Sequence, residues 1–206
     1  MNKYLLLGIV FALTPLLSSA QSSKRNPQMD TESRYLQGAV PEVNGRIVFS
    51  KTIIPQKKML DGGLFTVMSM WANENYGDIN KSENNKVILS DFDKKEIACY
   101  GEDEMYFNKS KLLTDMTYIM YHLTVEINNG ECIISIKNIK FTDGYDKQKT
   151  FPAKDMISDK AALQKNGKGL KRNKEKYRVY TINFVNNLFF AIETYLNSER
   201  SLGGKN

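Results

Sequence analysis

Thr117-Tyr118-Ile119-Met120-Tyr121-His122-Leu123-Thr124-Val125-Glu126-Ile127-Asn128 is the stretch on which the fold turns. It is rich in β-branched and aromatic residues, the types that fit a pleated, half-buried surface. Successive side chains on a strand point to opposite faces. Ile119, Tyr121, Leu123, Val125 and Ile127 therefore share one face, and Tyr118, Met120, His122, Thr124 and Glu126 the other. Asn129-Gly130 comes next, a pair that tolerates the positive φ angles of a two-residue hairpin turn. Glu131 to Thr142 is predicted to return as the antiparallel partner. If Ile127 faces Cys132, then Val125 faces Ile134 and Leu123 faces Ile136. A slip of one residue would turn this apolar set to the wrong side, so the register is specified.

Working outward, Lys86 to Asp91 and Glu96 to Tyr106 read as two more strands around the turn Phe92-Asp93-Lys94-Lys95. Arg46 to Lys51 reads as a first strand, closed by Pro55. From Met59 to Tyr76 the period changes: Leu60, Leu64, Val67, Met68 and Trp71 recur at helical steps, and Trp71 belongs to the core. Gly62 and Gly63 weaken the first turn, and Gly77-Asp78 ends the helix. A second helix, from about Val179 to Asn197, carries Ile182, Val185, Phe189, Ile192 and Leu196 on one stripe. The predicted fold is α+β, in the order strand, helix, four strands, helix. A curved antiparallel sheet carries both helices on one face and leaves the other open.

The chain has 206 residues, 41% apolar and 25% charged, the composition of one ordinary globular domain. Residues 1–20 read as a signal peptide. Lys3 supplies the positive end, an apolar run extends from Tyr4 to Leu17, and Ser18-Ser19-Ala20 places small residues before a cleavage point at Gln21. Pro15 interrupts the run, which is shorter than the roughly 20 residues of a spanning helix. No Cys stands near the cleavage point to carry a lipid anchor. The mature protein is expected to be exported, periplasmic or associated with the outer envelope, and soluble. Residues 21–39 form an expected flexible linker, 40–198 the domain, and 199–206 a disordered tail. Within the domain, residues 143–177 form a Lys-rich excursion with short helical stretches at Ala153 to Met156 and Lys160 to Gln164.

Several phrases in this order carry a family resemblance. They are Val40-Pro41-Glu42-Val43-Asn44-Gly45-Arg46-Ile47-Val48-Phe49, the Trp71-Ala72 helix, Glu96-Ile97-Ala98, Phe151-Pro152-Ala153-Lys154-Asp155-Met156-Ile157, and Thr181-Ile182-Asn183-Phe184-Val185-Asn186-Asn187-Leu188. Across Val40 to Leu196 the chain resembles a family of exported proteins of gut Bacteroidetes, a domain of unknown function with a TATA-binding-protein-like (TBP-like) fold. The resemblance implies the fold and export. It implies no activity, and the fold name does not imply DNA binding.

The chemistry-bearing residues are sparse. The chain has one histidine, His122, on the outer face of the central strand; a histidine-based metal site usually needs two or more nitrogen or sulfur ligands, so no metal or other cofactor is expected. A hydrolase working on envelope or glycan material would have to use His122 or carboxylates. Glu102-Asp103-Glu104 is the nearest candidate, at a strand end, but neighbours on a strand point apart. Asn166-Gly167-Lys168-Gly169 lacks the Ser or Thr of a phosphate loop. No catalytic residues are assigned. Tyr100, Tyr118, Met120 and His122 form a candidate binding surface on the outer sheet face. Lys165, Lys168, Lys171, Arg172, Lys174 and Lys176 form a candidate contact for an anionic surface, against the plainer reading of a solvated loop.

Loss of the leader removes one of 29 basic residues, Lys3, leaving 28 against 23 acidic ones and a net charge of +5. Export makes nucleic acid an unfit partner; an envelope protein, a glycan or an anionic lipid surface fits better. Cys99 and Cys132 lie on strands either side of the central one. Two strand spacings come to about 9.5 Å, beyond the ~7 Å between bridged Cα atoms. Both thiols are expected to be reduced.

Overall fold

The computed structural model describes residues 33–77, 84–109, 114–143 and 149–198. The expected signal peptide 1–20, the first part of the linker and the tail 199–206 lie outside the described residues.

The elements are β1 (Glu42–Val43), β2 (Arg46–Ile53), α1 (Asp61–Tyr76), β3 (Lys86–Asp91), β4 (Glu96–Lys109), β5 (Thr114–Asn128), β6 (Glu131–Asp143), β7 (Thr150–Pro152), α2 (Ala153–Ile157), α3 (Asp159–Ala162) and α4 (Arg172–Leu196). The antiparallel sheet runs β1-β2-β6-β5-β4-β3, with β7 also pairing to β6. The expected hairpin register is the one observed: Ile127 opposite Cys132, Val125 opposite Ile134, Leu123 opposite Ile136. Asn129 and Gly130 both take positive φ, 55° and 81°, as the tight turn requires. Asp61 in the first turn of α1 ties that turn to the helix. Its carboxylate accepts the Gly130 amide at 2.7 Å and the Asn129 amide at 3.2 Å.

The long helices α1 and α4 both cover the face of Ile119, Tyr121, Leu123, Val125 and Ile127, all of them buried. The Tyr121 ring meets Tyr76 of α1 and Phe184 of α4 edge-on, with centroids 6.4 and 5.2 Å apart. Burying each such aliphatic side chain stabilises by about 1.5–3 kcal/mol, and the alternation in β5 puts four of them, with the Tyr121 ring, on one strand face.

Two expectations need correction. First, α4 starts at Arg172, two turns before Val179. Its early turns are held by charged and aromatic contacts that a search for an apolar stripe passes over. Lys176 pairs with Asp115 of β5 at 2.6 Å, and Tyr177 packs edge-on against Phe107 and Phe141. Second, residues 33–39 do not behave as a tether. Tyr35 is buried and its hydroxyl donates to Asn183 at 2.9 Å. Arg178, wholly buried in α4, donates to the carbonyl oxygens of Tyr35 and Leu36 (2.6 Å each), to that of Ile157, and to the Asp159 carboxylate (2.6 Å). Asp159 in turn accepts the Gly38 amide at 2.9 Å. One guanidinium therefore fastens the segment before β1 to α2, α3 and α4.

Cys99 in β4 faces Leu123 and Cys132 in β6 faces Ile127, so β5 runs between them. Both are free and buried, and burial pushes each thiol up to about 12.

Candidate functional site

The position of the site follows from an irregularity in β6. The strand pairs with β2 over Cys132 to Lys137 and with β7 over Lys140 to Thr142. Between them Asn138 adopts φ 56°, and the pairing with β5 shifts between Met120 and His122, a bulge. The apolar positions change parity there, from Cys132, Ile134 and Ile136 to Ile139 and Phe141, so both halves of β6 still bury their apolar side chains. β2 leaves β6 at Val48 and turns into the short β1 hairpin through Asn44-Gly45, both at positive φ.

The space opened where β2 departs and β7 has yet to begin is a cavity of about 740 Å³. Gly45, Arg46 and Ile47 line one wall, and Thr150, Pro152, Ala153 and Lys154 another. Tyr100, Met120, His122, Asn138, Ile139 and Lys140 complete it. That size and mixture of apolar walls with a few polar groups is typical of small-molecule sites.

His122 is held from two sides. The Tyr100 ring meets it edge-on at 5.7 Å, and the Asn138 side-chain amide donates to its Nδ1 at 3.2 Å. An amide nitrogen can only donate, so Nδ1 accepts and the proton of the neutral ring sits on Nε2. Burial lowers the imidazole pKa, and the charges of Lys137 and Lys140 lower it further. His122 is therefore a neutral donor at neutral pH. Among the described residues no carboxylate lines the groove, and no group of three or more His, Cys, Asp or Glu could hold a metal.

Of the four outer-face residues singled out from the sequence, Tyr100, Met120 and His122 come together here. Tyr118 lies outside the lining, opposite Glu104 and Thr142. Arg46, Asn138, Lys140 and Lys154 were not anticipated. The parity change in β6 was the available signal for the bulge, and no local pattern announces the two walls.

The acidic run lies within β4, not at its end, and its side chains divide as alternation requires. Asp103 turns to the helix side and accepts the Tyr121 hydroxyl at 2.9 Å, and the Tyr121 and Tyr76 hydroxyls share a further hydrogen bond of 2.9 Å. Glu102 instead accepts the side-chain amide of Asn84. Burial raises the Asp103 pKa more than the Tyr121 bond lowers it. The folded state therefore holds the Asp103 proton more tightly than the unfolded chain does. Stability should fall as pH rises from the unfolded value toward the raised folded one, and the penalty is fully present above it. Asp103→Asn is expected to gain on the parent across that window. Urea midpoints of both proteins from pH 3.5 to pH 7 check this, and a constant difference would refute it.

The six basic residues do not form one free patch. The Lys171 amine donates to the carbonyls of Lys160 and Ala161, Lys174 lies on the Met156 sulfur and Lys176 pairs with Asp115. Lys165, Lys168 and Arg172 are exposed. No helix among the described residues is long and apolar enough to cross a membrane.

Comparison with known proteins places this geometry. Residues 49–142 match the profile of DUF4468, a domain of unknown function with a TBP-like fold. A crystal structure of a DUF4468 family protein from Bacteroides ovatus is 34% identical, superposes with a TM-score of 0.74, and matches 81% of this chain and 95% of its own. A TBP-like protein from Parabacteroides distasonis, 22% identical, has a TM-score of 0.61 over 76% of this chain and 96% of its own. None of the curated proteins searched matches the chain.

Proposed function

Since the chain belongs to the DUF4468 family, domains of unknown function with a TBP-like fold, we propose that it is a non-catalytic binding or assembly domain of the cell envelope that works through its outer sheet face. The observation that carries the reading is the cavity at the β6 bulge, which gathers Tyr100, Met120 and His122 on the sheet face turned from the long helices α1 and α4. Export rests on residues 1–20, with their Lys3 end, apolar run and small residues before Gln21. Three exposed cationic residues of the Lys-rich segment, Lys165, Lys168 and Arg172, provide a secondary contact for an anionic envelope surface.

Backbone-amide NMR of the protein mixed with soluble glycan and lipid fractions of cell envelopes tests the reading. Shifts clustered at Tyr100, Met120, His122 and Asn138, lost in Met120→Lys, are the expected result. Fractions that leave these amides unmoved, or move only the helix side, would overturn it.

A further inference from the structure

Taking the groove as a binding site, as proposed above, we infer that its ligand is an anion carried on an apolar body: a carboxylate, sulfate or phosphate attached to a ring or an alkyl chain. Among the described residues, three cationic side chains line the groove from separate elements, Arg46 from β2, Lys140 from β6 and Lys154 from α2, and no carboxylate does. Arg46 and Lys140 have no ion-pair partner among the described residues, and Lys154 meets only Glu42, at 3.7 Å on the exposed rim. A concave surface of one sign concentrates counter-charge more strongly than the same charges spread on a flat one.

The uncharged groups point to the same ligand. With Nδ1 engaged by Asn138, His122 is left with Nε2–H, a donor suited to an anionic oxygen. Burial, with the charges of Lys137 and of the groove's own Lys140, keeps the imidazole neutral, so His122 adds a directional bond without adding charge. Met120, Ile139, Ile47, Pro152 and the Tyr100 ring supply the apolar part. A bare inorganic anion would leave that surface wet, and a neutral ligand would leave the cations uncompensated. A cavity of about 740 Å³ accommodates a body of several rings or a folded chain.

His122 is the protein's one histidine, so its ring signals report on the groove without ambiguity. The test titrates the protein with 8-anilinonaphthalene-1-sulfonate, with neutral N-phenyl-1-naphthylamine, and with inorganic phosphate. The sulfonate is expected to shift the His122 ring signals saturably at one site, and the other two to do so far more weakly. Arg46→Glu/Lys140→Glu should weaken the sulfonate at least about tenfold and leave the neutral compound unchanged. Both positions are exposed, and His122→Phe offers a second variant that keeps a ring and loses the donor. The inference fails if the neutral compound or phosphate binds as well as the sulfonate, if charge reversal has no effect, or if the sulfonate leaves His122 unmoved and seats at exposed Leu60 or Phe92. Failure here with envelope fractions still moving the groove amides would reject the ligand class alone. Silence in both experiments would reject the binding reading.

Discussion

Arg178→Ala is expected to destabilise the protein by about 3–5 kcal/mol. The guanidinium is fully buried and satisfies three backbone carbonyls and one carboxylate. Alanine removes the Arg178 donor from the Tyr35 and Ile157 carbonyls in a place water reaches poorly, leaves Leu36 and Asp159 with only the Ala39 and Gly38 amides, and also leaves a void. At about 2–4 °C per kcal/mol for a domain of this length, the midpoint of thermal unfolding should fall by roughly 10–15 °C. Arg178→Lys should recover less than half of the loss, because one amine cannot reach acceptors on the segment before β1, on α2 and on α3 together. Amide exchange at Gly38, whose N–H is held by Asp159, should accelerate in both variants. A loss under about 1 kcal/mol, or unchanged exchange at Gly38, would mean that residues 35–38 are not fastened in solution.

Gly101→Ala should have a comparable effect for a different reason. A Cβ at this position would sit 2.4 Å from Cζ of Tyr121, 2.6 Å from its hydroxyl and 2.8 Å from Cε2. The ring has little room to retreat between Tyr76 and Phe184, and its hydroxyl is bonded to Tyr76 and Asp103. Overpacking costs about 1–3 kcal/mol, and the polar groups it would unpair cost about 1–3 kcal/mol more. Chemical denaturation should therefore show a loss of about 3–5 kcal/mol. Tyr121→Leu removes the obstructing ring tip, so Gly101→Ala should cost at least about 1 kcal/mol less in that background. Strict additivity of the two substitutions would show that no clash exists. Gly101 is thus required for the space opposite it on the neighbouring strand and not for its backbone angles.

Strands β2 to β6 and the long helices were legible because each is a local pattern repeated many times; the short β1 and β7 were not. Alternation in β5 and the Asn129-Gly130 turn determined the central hairpin to the residue, and helical spacing located α1 and the apolar part of α4. Where a segment is held by a few distant polar partners instead, local pattern fails. The first turns of α4 depend on Asp115, Phe107 and Phe141, and the segment before β1 depends on a buried arginine that reads in sequence as one more member of a basic run.

The candidate site divides the same way. Strand alternation alone put Tyr100, Met120 and His122 on a common face, because the direction of a strand side chain is fixed by its position in the pleat. Tertiary structure decided that this face is concave and which cations rim it. Arg46 and Lys154 line the same groove as His122 only because β2 leaves β6 on one side of the Asn138 bulge and β7 joins it on the other. A sequence encodes periodicity between near neighbours directly; the meeting of three chain segments far apart in sequence is set by how the whole sheet closes its core.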